Sequence, residues 1–109
     1  MNEPTRRTQP RVPVQIPVVI EHGALFLDAI AVNLGLGGVF VETHAPLDYG
    51  TSVSVVIQLP GLTRTSRLVG VVRWSNTSGC GIQFLQLGAS ETYAISSMMA
   101  RAVKRGTAA

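Results

Sequence analysis

The sequence predicts a mostly β fold, a six-stranded antiparallel barrel that ends in one α-helix. Three observations carry this prediction. Apolar and polar residues alternate through several short segments, which is the pattern of half-buried strands. Glycine- and proline-containing turns separate those segments. A stripe of apolar residues at helical spacing follows near the end of the chain.

The first strand is predicted where every second residue is apolar, from Val12 to Ile20. Pro13 and Pro17 fall on the opposite phase and cannot donate backbone hydrogen bonds. At least one side of this strand should therefore lie at a sheet edge. His22-Gly23 predicts a tight turn into a second strand, which covers residues 24–32.

Glycines and prolines mark the remaining connections. The segment from Asn33 to Gly38 has three glycines and predicts a loop. Further strands are expected over residues 39–43, 53–59, 65–74 and 82–84. The turns between them are expected at residues 46–50, 60–61 and 79–81, and Trp74 and Phe84 continue alternating patterns that point them to the core.

The last element is predicted to be a helix with Ser90 as N-cap and Glu91 in the first turn, where the helix dipole favours an acid. One apolar stripe follows, made of Ile95, Met98, Met99, Ala102 and Val103. The stripe is expected to pack across one mouth of the barrel, and a surface for a partner is the alternative.

Length and composition fit one domain. The chain has 109 residues, of which 46% are hydrophobic, enough for a core and too many for a disordered chain. It has a single cysteine, no leader-like apolar segment and no apolar run that could span a bilayer, so we expect a cytoplasmic protein without membrane insertion.

The charges are unevenly distributed. Residues 1–11 carry three arginines against one glutamate, and residues 101–109 carry three basic residues and no acid. The body between them has three arginines against five carboxylates. Because a nucleic-acid binder usually has a basic face on the body itself, no DNA or RNA partner is expected. The basic C-terminal residues are equally consistent with a solubilising tail.

The sequence offers no residues for catalysis. His22 and His44 lack cysteine or histidine neighbours at metal-ligand spacing, so no metal site is expected. Cys80 lies between two glycines with no base evident nearby, which favours a buried thiol over a nucleophile. The acids show no close pair for acid–base work. We therefore expect a protein that is not an enzyme and has no cofactor.

Two segments do suggest a ligand. Arg7 and Arg11 form an R-x-x-x-R pair just before the first strand, and Asn33 precedes Gly38 in the glycine-rich segment. Guanidinium groups bind phosphate oxygens and the guanine edge through forked hydrogen bonds. Trp74 is a weaker candidate, because its ring could stack on a base at a ligand pocket.

Together these segments resemble the PilZ family of cyclic di-GMP receptors, whose signature is R-x-x-x-R followed by [D/N]-x-S-x-x-G. The resemblance covers residues 6–100 and includes VNLGLGGVFVET, GVVRW and GCGIQF. It implies a six-stranded PilZ-type barrel with a C-terminal helix and cyclic di-GMP as ligand. Arg7 and Arg11 would clamp phosphates and guanine edges, Asn33 would read a guanine, and Gly38 is the signature glycine. Arg6 could assist.

One position departs from the signature, because Gly35 stands where the family has serine. If the backbone at residue 35 suits other residues, Gly35→Ser should tighten ligand binding by about 0.5–1.5 kcal/mol. If Gly35 has a positive φ, the serine should strain the chain instead.

Two functions follow from this resemblance. The first is a cyclic di-GMP receptor that changes conformation and signals through an unknown downstream protein. The second is a degenerate PilZ adaptor that binds no nucleotide and acts by protein contact alone. The expected division is a basic arm over residues 1–11, the barrel and helix over residues 12–104, and a tail over residues 105–109. Residues 1–10 should be mobile without ligand and ordered with it.

Overall fold

Six strands and one helix make up the described part of the chain. The structure, a computed structural model, describes residues 10–104, with side chains through residue 102. In chain order the elements are β1 (Arg11–His22), β2 (Leu25–Gly35), β3 (Gly38–Glu42), β4 (Ser52–Ile57), β5 (Ser66–Ser75), β6 (Gly79–Phe84) and α1 (Ala89–Lys104).

The strands close into a barrel in the order β1-β2-β3-β6-β5-β4, and every neighbouring pair is antiparallel. Two-strand hairpins join β1 to β2, β2 to β3, β4 to β5 and β5 to β6. The pairings of β3 with β6 and of β1 with β4 then complete the ring. The predicted fold class is confirmed.

Strand β1 has different neighbours along its two sides. It pairs with β2 from Arg11 to His22, with a register shift between Pro13 and Ile16. It pairs with β4 only through Val19–Glu21. Within the described residues, the first part of β1 therefore pairs with β2 and not with β4, in agreement with its two prolines.

Two glycine-rich segments predicted as turns belong largely to strands. The expected loop at residues 33–38 is a connection of only Leu36 and Gly37, because β2 continues to Gly35 and β3 starts at Gly38. The expected turn at residues 79–81 lies inside β6, and residues 76–78 form the turn instead. A Cβ atom on Gly79 would lie 2.0 Å from the Val41 carbonyl oxygen. These glycines allow strands to approach closely.

The helix α1 begins one residue before the predicted cap. The N–H of Thr92 donates to the carbonyl of Gly88 at 2.9 Å, which places Gly88 at the N-cap and Ser90 inside the first turn. Ser90 as N-cap is therefore wrong, and glycine is itself an acceptable cap residue. Ile95, Met98 and Ala102 are buried in the barrel core, so the stripe packs as expected, and α1 contacts β1 and β2.

The core is built from inward residues of all six strands together with the buried stripe of α1. Phe84 is 8% exposed and belongs to it, as predicted. Among residues 10–104, no helix has the length and apolar character needed to cross a membrane.

Candidate ligand-binding site

Four of the predicted binding residues meet where β1, β2 and β3 lie side by side. Arg11 is the first residue of β1 and pairs with Gly35. Its Nη1 donates to Asn33 Oδ1 at 3.1 Å. A Cβ atom built on Gly38 would lie 3.2 Å from Arg11 Nη2. Arg6 and Arg7 lie outside the described residues.

Asn33 faces outward because of the register of β2. Leu34 and Val39, the next pair along the β2–β3 ladder, are both fully buried. Since successive residues of a strand point to opposite faces, Asn33 and its partner Phe40 point away from the core. The amide of Asn33 is therefore on the outside of the barrel, where it can accept a hydrogen bond from Arg11.

Gly35 has no room for a side chain. Its φ angle is not positive, so its backbone conformation suits other residues. However, a Cβ atom there would lie 2.3 Å from the Pro10 carbonyl oxygen and 3.1 Å from Arg11 Cγ. The backbone condition for a strengthening Gly35→Ser substitution is met, but the space for the serine is occupied. The family's serine position is here a point of contact between β2 and the chain that enters β1.

Two aromatic rings lie on the same outer surface. The ladder runs from Asn33 to Phe40, then to Gly81 and then to Trp74. The rings of Phe40 and Trp74 are 5.2 Å apart at 56° and meet over Gly81, which has no side chain between them. Trp74 is half-buried on this surface. Its assignment to the core is therefore wrong, whereas the alternative assignment to a surface pocket stays a prediction.

Three register irregularities surround this row of residues. They fall between Pro13 and Ile16 in β1, between Ala31 and Asn33 in β2, and between Val72 and Trp74 in β5. Bulges of this kind bend a strand and redirect its side chains, and they are common beside functional sites. We call the outward surface formed by Arg11, Asn33, Gly38, Phe40, Gln83, Arg73 and Trp74 the bulged face.

The bulged face contains a second guanidinium that the sequence analysis did not single out. Arg73 is exposed, and its Nε donates to Gln83 Oε1 at 2.9 Å. Gln83 pairs with Gly38 across β3 and β6, so it adjoins the Arg11 site. The sequence feature that could have identified Arg73 is its position directly before the tryptophan of GVVRW. Strand alternation alone would have placed the two on opposite faces.

The cysteine and one of the histidines considered in the sequence analysis, Cys80 and His22, do not belong to the bulged face. Cys80 is 1% exposed, and burial raises the pKa of its thiol, which disfavours the reactive thiolate. His22 is exposed and its Nδ1 lies 3.0 Å from the Ser52 carbonyl oxygen. Within residues 10–104, no group of three or more histidines, cysteines or acids is placed to hold a metal ion.

Comparison with known protein families gives a match over most of the chain. The profile described as PilZ domain matches residues 5–100. No curated protein sequence matches the chain.

Two solved structures share the fold. The Bacillus subtilis inhibitor of motility, MotI/DgrA, superposes with a TM-score of 0.74 at 18% sequence identity, covering 92% of this chain and 53% of that one. This chain thus spans about half the length of MotI/DgrA. The PilZ domain of CeSA from a cellulose-synthesizing bacterium superposes with a TM-score of 0.64, also at 18% identity, covering 81% of this chain and 92% of that one.

Proposed function

The chain belongs to the PilZ domain family, a family of cyclic di-GMP receptors and adaptors, and we propose that it binds cyclic di-GMP on the bulged face and signals through a partner protein. The observation that carries the proposal is the contact between Arg11 and Asn33 beside Gly38. These residues come from two separate signature segments, and the fold gathers them at one place.

The chemistry of the bulged face suits a cyclic dinucleotide. A guanidinium binds phosphate or the O6 and N7 atoms of guanine, and an amide oxygen accepts from guanine N–H groups. The half-buried Phe40 and Trp74 rings, inclined to each other by 56°, offer apolar ring faces on the same surface, on which a base can stack. A ligand with two phosphates and two guanines would use all three kinds of group.

The position of Arg11 at the first residue of β1 supports the proposed signalling through a partner protein. Arg7 lies one short segment before it, in the predicted arm. In the proposal, Arg7 and Arg11 both bind ligand phosphates. Residues 1–9 lie outside the described part of the chain, so the ordering of the arm on ligand binding stays a prediction. Ordering costs on the order of 1–2 kcal/mol per residue, which the charge-assisted bonds to the ligand would offset. The newly formed surface is what a downstream protein would recognise, in the cytoplasm, where PilZ proteins typically act.

Gly35 favours the second candidate function, a PilZ adaptor that binds no nucleotide. The signature serine is missing, and the Pro10 carbonyl lies where its side chain would be. Such an adaptor would act through protein contacts alone. The retained Arg11 and Asn33 favour the receptor.

Titration calorimetry with cyclic di-GMP tests the proposal. We expect a dissociation constant in the low-micromolar range or higher, which corresponds to a binding free energy of about −8 kcal/mol or weaker. Arg11→Ala should weaken it by about 1.5–3 kcal/mol, because a charge-assisted bond is lost. Arg64→Ala, in an exposed loop, is the control and should bind like the parent.

The fluorescence of Trp74, the single tryptophan of the chain, gives a second readout at the bulged face. The absence of heat and of a thermal shift at about 1 mM ligand, where even a weak −4 kcal/mol interaction would register, would favour the adaptor. Equal affinities of the parent and Arg11→Ala would contradict the assigned site.

A further inference from the structure

The bulge in β5 turns two consecutive residues to the outside of the barrel. Val72 pairs with Ile82 and is fully buried, and Trp74 pairs with Gly81, so Arg73 is the extra residue between the two pairs. Trp74 contacts Phe40 on the outer surface, and Arg73 reaches Gln83 there as well. The bulge therefore places a cation directly beside the aromatic pair.

Arg73 and Arg11 lie on two sides of one backbone row, the pair formed by Gly38 and Gln83. A Cβ atom on Gly38 would be 3.2 Å from Arg11 Nη2 and 3.3 Å from the Gln83 Cα atom. The side chain of the same Gln83 accepts the hydrogen bond from Arg73 at 2.9 Å. The two guanidinium groups thus come from strands far apart in sequence and face the same patch of surface.

The partner of Arg73 leaves its charge in place. The side-chain amide of Gln83 orients the guanidinium without neutralising it. Arg67, on the same strand, differs, because its Nε lies 3.0 Å from Glu21 Oε1 in an ion pair. Arg73 forms no ion pair with a carboxylate among the described residues, so none of them offsets its charge at the surface. A held, uncompensated guanidinium suits a phosphate oxygen.

From this geometry we infer that Arg73 is a second phosphate-binding residue of the bulged face, outside the two signature segments. The inference rests on the proposed function. Arg11 binds the ligand from the β1 side, and Arg73 binds a phosphate from the β5 side, next to the base on the Phe40–Trp74 pair. Gln83 is the positioning residue, because it fixes the direction of the Arg73 side chain.

The test compares two arginines of one strand. Arg73→Ala should weaken cyclic di-GMP binding about 10- to 100-fold in calorimetry, since a charge-assisted bond to a phosphate is removed. Arg67→Ala is the matched control, because Arg67 is exposed and belongs to β5, but faces Glu21. It should bind like the parent. Arg73→Lys keeps the charge without the forked donors and should fall between the two.

Salt dependence separates a phosphate contact from a contact with a base. The affinity of the parent should fall as salt is raised, and that of Arg73→Ala should fall less steeply, because one charge–charge contact is gone. A weaker Arg73→Ala with the salt dependence of the parent would mean that Arg73 reads a base edge, and would overturn the phosphate assignment. Unfolding midpoints equal to that of the parent confirm that both alanine variants are folded.

The remaining outcomes distinguish this inference from the proposed function. If binding depends on Arg11 but Arg73→Ala binds like the parent, the role of Arg73 is overturned and the receptor function stands. If the parent itself binds no cyclic di-GMP, the receptor function and the role of Arg73 are both overturned.

Discussion

The bulged face and the opposite side of the barrel are built by different rules. On the opposite side, β4 and β5 pair without interruption from Ser52–Val71 to Ile57–Ser66, and β4 alternates strictly between buried and outward residues. On the bulged face, three strands shift register within two residues of the Asn33–Phe40–Gly81–Trp74 row. Regular pairing holds the barrel closed, whereas irregular pairing selects which side chains face outward. Stability and binding should therefore respond to different substitutions.

A core substitution on the regular side should have the largest effect on stability and the smallest on binding. Ile20 is 1% exposed and lies in the short segment where β1 pairs with β4. Ile20→Ala should lower the free energy of unfolding by about 2–5 kcal/mol, which chemical denaturation measures. The folded variant should bind cyclic di-GMP like the parent. A change in affinity of more than about twofold would show that the two sides are energetically coupled.

A side chain at residue 35 should affect the bulged face by displacing Pro10 and Arg11, where the chain enters β1. Gly35→Ser must displace the Pro10 carbonyl, and with it Arg11, so we expect a loss of about 1–3 kcal/mol in stability and weaker ligand binding. Gly35→Ala is the matched comparison, because its Cβ atom would meet the same Pro10 carbonyl oxygen at 2.3 Å without adding a hydroxyl. Tighter binding by Gly35→Ser would mean that the chain at Pro10 moves aside readily and that the missing hydroxyl limits affinity.

The smallest expected effect is a pH dependence at the start of α1, away from both sides. Ser66 Oγ donates to Glu91 Oε2 at 2.7 Å, and this bond lowers the pKa of Glu91 below its ordinary value of 4.5. A carboxyl with a depressed pKa in the folded state stabilises the protein above its unfolded pKa, and this contribution is lost as the pH falls through the folded pKa.

Thermal unfolding between about pH 7 and pH 3 measures this contribution. Glu91→Gln and Ser66→Ala should each flatten the loss of stability below about pH 4.5, and the double variant should add little further. An acid-side slope equal to that of the parent in Glu91→Gln would contradict the assignment.

The sequence predicted the barrel well where side chains alternate. In β4 the apolar phase alone identifies the buried residues, because one face of the strand is the core. In β1 it identifies Val12, Val18 and Ile20, whereas Val14 and Ile16, at the register shift, are only partly buried. Glycine was the main source of error. Three glycines, Gly35, Gly38 and Gly79, lie where neighbouring strands approach too closely for a side chain. The sequence alone does not distinguish a glycine required for close approach from a glycine required for a turn.

Four of the seven residues of the bulged face could be named from the sequence, with Trp74 as the weaker candidate. Arg11, Asn33 and Gly38 followed from the resemblance, and the structure brings them together. Arg73 and Phe40 did not, because their roles depend on a register shift in β5 and on the pairing of β3 with β6. A bulge of one residue reverses the direction of the side chains that follow it, and no periodicity in the sequence shows where this happens.

The pairing of β1 with β4 is short and lies near the C-terminal end of β1. Within residues 10–104, Val19–Glu21 pair with strands on both sides, whereas the first part of β1 pairs with β2 but not with β4. Arg11 is the first residue of β1, at the end of the strand that is distant from β4. In the proposed receptor, ligand binding to Arg11 would therefore act first on the β1–β2 pairing and on the buried Val12, at the end of β1 distant from β4.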